Sequence, residues 1–114
     1  MFLFVTLVVC TFSETNAESA LKNIRISAHD GDTRLVLDLS KQTKYKIFTL
    51  NRPNRVVIDL YKASKISKLE STLNGKGLIN KVRIAKNSPT KLRVVVETRD
   101  VVPVSYTHLT LPTK

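Results

Sequence analysis

The 114-residue sequence contains one cysteine, Cys10. An internal disulfide is therefore excluded, and so is a paired-cysteine site for zinc or dithiol chemistry. Histidine is almost as scarce. His29 falls in a turn-like His-Asp-Gly-Asp stretch and His108 near the C-terminus, and with the chain's nine carboxylates they form no recognisable ligand set. His29 reads as a solvated turn residue. Gly-rich phosphate loops and nucleophile motifs are missing too, so no activity and no cofactor are expected of this chain. No stretch sustains a helical period with caps, which leaves a mostly β domain.

Charge is what the chain has in plenty. Lysine and arginine number 19 against nine acidic residues, a formal charge of +10. Such a surface favours an anionic partner: nucleic acid, anionic lipid or a carboxylate-bearing polymer. Nucleic acid is the weakest of these, because the three tyrosines and four phenylalanines form no RNP-like cluster. The length suits one domain with a modest core.

Residues 1–17 read as an export signal. Met1 to Phe12 is almost wholly apolar, Ser13 to Ser19 turns polar, and small Ala17 marks the expected cleavage point. A basic n-region is lacking, since the first positive side chain is Lys22, which suggests a start further upstream. The apolar run is too short for a stable membrane span. A buried N-terminal strand or helix is the alternative. Lipidation at Cys10 is disfavoured by bulky Val9.

Beyond Leu21 the hydrophobic period is two. Ile24 and Ile26 lead through His29 to Asp32 into Leu35 to Leu39, a hairpin. Tyr45 to Leu50 carries apolar groups on both faces, as an inner strand would. The turn Asn51-Arg52-Pro53-Asn54 then feeds the β-branched run Val56-Val57-Ile58-Asp59-Leu60, a core strand. Lys62 to Thr72 is basic and reads as a crossover or short edge strand, with Lys62, Lys65 and Lys68 as solvated edge charges. Gly75 to Gly77 marks a turn before the strands at Leu78 to Ile84 and Leu92 to Thr98.

The body repeats itself. Asn23-Ile24-Arg25-Ile26-Ser27 with Thr33-Arg34-Leu35-Val36-Leu37-Asp38 parallels Lys81-Val82-Arg83-Ile84-Ala85 with Leu92-Arg93-Val94-Val95-Val96-Glu97. The fold expected is all-β: a β-sandwich of two similar small sheets from an internal duplication.

From about Leu21 to Val102 these residues resemble an AMIN domain, the N-terminal module of bacterial N-acetylmuramoyl-L-alanine amidases that also occurs in type IV pilus secretins. The resemblance rests on Arg34-Leu35-Val36-Leu37-Asp38-Leu39, on Tyr45 to Leu50, on Pro53 with Arg55 to Leu60, and on Val82 to Ala85 with Leu92 to Val96. It implies two symmetry-related four-stranded sheets, export to the periplasm, and peptidoglycan binding that directs a cell-wall amidase to its place of action. Septal or envelope proteins are further partners it admits. Zinc is expected in a catalytic domain outside this fragment. The alternative function is that of an assembly module of a type IV pilus secretin, which further β domains downstream would mark.

Candidate peptidoglycan-binding residues are Arg34, Arg55, Arg83, Arg93 and Tyr45. The arginines fit cross-strand pairing with Asp38, Asp59 or Glu97 at least as well, and Tyr45 fits sandwich packing. Residues 18–103 form the expected AMIN-like domain, and 104–114 a tail foreign to the natural protein. The counterpart of Tyr45 to Leu50 is due just after Pro103, yet the apolar alternation stops at Val104. Val-Ser-Tyr-Thr-His-Leu there resembles a translated transposon-end sequencing adaptor, and the tail is expected to pack poorly.

Overall fold

The structure, a computed structural model, describes residues 3–9, 19–100 and 104–110. Ten strands run in chain order: β1 Leu3–Val9, β2 Ser19–His29, β3 Asp32–Leu39, β4 Tyr45–Leu50, β5 Arg55–Tyr61, β6 Ala63–Lys65, β7 Thr72–Asn74, β8 Ile79–Ser88, β9 Lys91–Thr98 and β10 Val104–Thr110. No helix occurs among the described residues, and so none is long and apolar enough to cross a membrane.

The strands form two five-stranded sheets, β10-β1-β3-β2-β6 (sheet A) and β4-β5-β9-β8-β7 (sheet B). The fold is the expected all-β, two-sheet arrangement, with five strands in each sheet where the resemblance implies four. Alternation does the layering. On β3, Thr33, Leu35, Leu37 and Leu39 are buried, and on β9 Leu92, Val94, Val96 and Thr98. The inward apolar residues meet Leu21, Ile24, Val56, Ile58, Leu60, Val82 and Ile84 in one core.

The repeat is visible in space. β2 and β3 form an antiparallel hairpin in sheet A, as β8 and β9 do in sheet B. Asp30 (φ 52°) and Gly31 (φ 85°) close the first hairpin, since two positive-φ residues match the right-handed twist of the strands they join. The repeats are not the layers, however. β4 and β5 follow β3 in the chain but join sheet B, where β5 pairs antiparallel with β9. Lys62 makes the next crossing alone. It stands between β5 in sheet B and β6 in sheet A with φ 52°; its N–H donates to the Thr90 carbonyl (2.6 Å) and its carbonyl accepts from Ser19 N–H (2.9 Å).

A second tie joins the sheets at one end. Leu78 N–H donates to Thr33 Oγ1 at 2.9 Å, and Gly77 (φ 58°) passes so close that a Cβ there would meet Thr33 Oγ1 at 2.4 Å. Only glycine suits both the backbone angle and the space.

Two expectations need correction. β4 is the edge strand of sheet B, with Leu50 left 42 % exposed, so its two-sided apolar pattern does not mark an inner strand. Lys65 is no free edge charge, because its Nζ donates to the Ile66 and Leu69 carbonyls at 3.2 and 2.6 Å. In the segment expected as a foreign tail, the backbone of β10 pairs in parallel with β1. β1 coincides with the apolar run of the expected export signal and lies parallel to β3. Cys10 and the cleavage point after Ala17 lie outside the described residues.

Candidate functional site

The outer face of sheet B gathers most of the candidate residues. β5 turns Arg55, Val57, Asp59 and Tyr61 outward, and β9 turns out Lys91, Arg93, Val95 and Glu97, because their neighbours in sequence fill the core. The register sets these in rows across the sheet. One row is Lys46, Asp59, Arg93 and Ala85; the next is Phe48, Val57, Val95 and Arg83; the third is Leu50, Arg55, Glu97 and Lys81. An apolar stripe therefore runs between two charged rows.

Val57 and Asp59 are each only 2 % exposed although they sit on the outer side. Side chains laid over the sheet cover them. The Arg93 guanidinium lies 5.8 Å from the Phe48 ring centre and Lys46 Nζ 5.5 Å from it, both within cation–π range. Lys91 Nζ stands 5.7 Å from the Tyr61 ring.

Arg93 grips Asp59 with two parallel bonds, Nε to Oδ1 at 2.8 Å and Nη2 to Oδ2 at 3.0 Å, and Lys91 Nζ is 3.8 Å from Oδ2. These bonds, and then the charges of Arg93, Lys91 and Lys46, hold the Asp59 carboxyl below its ordinary 3.8 against the opposing effect of burial. Its hydrogen bonds to Asp59 raise Arg93 in turn. Arg83 pairs with Glu97.

The five predicted residues thus separate. Arg55, Arg83 and Arg93 share the outer face of sheet B. Arg34 is on the outer face of sheet A, exposed, and makes no hydrogen bond or ion pair with the described residues. Tyr45 packs half-buried against the core from β4. Beside it an open recess of about 650 Å³ is lined by Gln42, Thr43, Lys44, Tyr45, Lys46 and Tyr61.

Lys46, Phe48 and Lys91 belong to the face but were not singled out from sequence. Their signal was the basic-aromatic alternation of Lys46 and Phe48. Arg25 was also missed as the partner of Asp38, which it holds through Nη2 at 2.9 Å and Nε at 3.1 Å. Its repeat counterpart Arg83 pairs with Glu97, the counterpart of Asp38.

No three His, Cys, Asp or Glu side chains among the described residues come together to hold a metal ion. His29 sits exposed in its turn, 3.2 Å from Asp30 Oδ2. These residues do not fit a zinc site. What the face offers is non-covalent: fixed cations beside an aromatic ring on a rigid sheet.

The chain is 32 % identical over 69 residues to the N-acetylmuramoyl-L-alanine amidase AmiC of Neisseria meningitidis serogroup B (strain ATCC BAA-335 / MC58), a stretch that covers 57 % of this chain and 17 % of that protein. The chain thus spans less than a fifth of the relative's length. The family model for the AMIN domain matches residues 11–111, from just after β1 through β10, and the chain, with its duplicated hairpins and their matched ion pairs, belongs to the AMIN domain family.

Proposed function

We propose that this chain is the peptidoglycan-binding, localisation-directing module of a cell-wall amidase exported to the periplasm. An AMIN domain is a non-catalytic module, and the relative that shares this stretch is an amidase. The observation that carries the reading is the outer face of sheet B, where Arg55, Arg83, Arg93, Lys46 and Lys81 surround the Phe48–Val57–Val95 stripe. Peptidoglycan offers free carboxylates for the cations and sugar rings for the aromatic edge. Arg83 and Arg93 are partly committed to Glu97 and Asp59, so Arg55 and Lys46 are the cations with most to give a ligand. Arg34 and Tyr45 take secondary places, one on the opposite face and the other at the recess beside β4. Hydrolysis belongs to a catalytic domain outside this stretch, where zinc would serve.

The test is co-sedimentation of the purified chain with sacculi. Retention should be clear at low ionic strength and weaken toward 0.15 M salt, where screening acts over ~8 Å. Arg55→Glu with Lys46→Glu should remove most of it. Retention equal to that of an unrelated protein of the same net charge would overturn the proposal.

A further inference from the structure

The recess beside β4 lies where the outer face of sheet B reaches its edge. Its walls are Gln42, Thr43, Lys44, Tyr45, Lys46 and Tyr61, and its volume of about 650 Å³ falls within the roughly 300 to 1,000 Å³ of small-molecule sites. No carboxylate is among them. The walls are also tied in place. Thr43 Oγ1 donates to the Tyr61 carbonyl, and Tyr61 N–H donates to the Lys44 carbonyl at 2.9 Å, so the stretch before β4 is fastened to the end of β5. Gln42, exposed, presents its amide beside them. Lys46 Nζ stands near the Phe48 ring and Lys91, over Tyr61, is held by Asp59, whereas Lys44 is exposed and forms no ion pair with the described residues.

Two tyrosine rings, an amide and two ammonium groups in one small recess suit a ring with polar substituents and an anion close to it. Lys44 and Lys46 flank Tyr45 in sequence, so the charge they answer must sit on or next to the ring, not at the far end of an attached peptide. In intact peptidoglycan the sugar's acidic side arm is tied up as an amide to the stem peptide. Hydrolysis by an N-acetylmuramoyl-L-alanine amidase breaks that C–N bond. Water's oxygen goes to the acyl carbon and both its protons to the leaving nitrogen, which gives a carboxylate on the sugar and an ammonium on the peptide. We propose that the recess is a subsite for this carboxylate-bearing amino sugar, with Lys44 and Lys46 on the acid, Tyr45 and Tyr61 against the ring and Gln42 on its polar substituents. The identity of the sugar rests on the function proposed above. The module then favours glycan from which stem peptides have already been removed.

The probe is N-acetylmuramic acid, titrated into the isotope-labelled 114-residue chain and followed by backbone amide shifts. Saturable shifts are expected at residues 42–46 and 61. N-Acetylglucosamine has the ring without the acid, lactate has the acid without the ring, and the methylamide of N-acetylmuramic acid keeps the arm uncharged; each should bind about tenfold more weakly or worse. Lys44→Glu should weaken the acid to a similar degree and leave the methylamide unchanged, with circular dichroism to check that the strands persist. Sacculi partly stripped by an amidase should retain more of the parent chain than untreated sacculi do, an excess that Lys44→Glu removes. Absence of saturable shifts at these residues, equal affinity for the acid and its methylamide, or equal affinity for adenosine monophosphate would each overturn the inference. Sacculus retention that depends on Arg55 and Lys46 without those shifts would sink the subsite and leave the function of the outer face standing.

Discussion

Arg34 and Arg93 stand at the same position of the repeat and live in different surroundings. Arg93 lies over Phe48 and holds Asp59 with two bonds, while Arg34 extends from β3 with no partner among the described residues. The residues flanking them are alike, so the difference comes from the next strand over. β5 supplies a buried carboxylate to sheet B, and β1 supplies none to sheet A. A duplicated hairpin thus inherits its pattern from sequence and its interactions from whichever strand the fold lays beside it.

The largest expected effect tests the strand that sets the two repeats apart. Ile58 on β5 is fully buried between the sheets, and Ile58→Ala should cost about 2 to 5 kcal/mol, a large part of a small domain's stability. A denaturation midpoint near the parent's would mean that β5 is peripheral. Arg93→Ala comes next, at about 2 to 3 kcal/mol, because it strips a buried carboxylate of two charge-assisted bonds.

That penalty should depend on pH. Asp59 titrates below its ordinary 3.8 in the folded chain, so the pair's contribution is complete above the unfolded value and is lost as pH falls through the lower folded one. Urea titrations of parent and Arg93→Ala should therefore differ near pH 7 and converge on acidification below 3.8. A constant difference would assign the effect to packing over Phe48 instead.

Thr33→Val probes where the repeats diverge, since Thr33 occupies the place that Leu92 has in the second repeat. Loss of the hydroxyl leaves the Leu78 N–H without its buried partner, at about 1 to 2 kcal/mol in chemical denaturation. Smallest of all, Arg34→Ala should change stability by no more than about 0.5 kcal/mol. A cost close to that of Arg93→Ala would erase the contrast between the two arginines.

Much of the fold was legible in the chain. Period-two alternation located β2 to β5, β8 and β9, and the Asp-Gly pair placed the first turn; the three-residue strands β6 and β7 are too short to show a period. The repeat even identified Arg25 and Arg83 as equivalents. What could not be read was which strands meet. Asp59 bonds Arg93 rather than Arg55 because β5 pairs with β9, across a separation that no local pattern encodes. β4 looked like an inner strand because Phe48 was counted as needing a second apolar layer; Lys46 and Arg93 cover it instead. The place of Arg34 is similar, since its surroundings depend on β1, at the start of the chain.

The crossing at Lys62 sets an order of events. β4 and β5 precede that residue, yet β5's partner β9 is complete only at Thr98. A chain emerging from its N-terminus therefore carries the apolar run Val56 to Leu60 with one edge unsatisfied until the second repeat has followed. Such a segment is open to pairing with another emerging chain throughout that interval. The same swap that locks the two finished sheets together makes this short domain depend on keeping its β5 edge covered while it is being made.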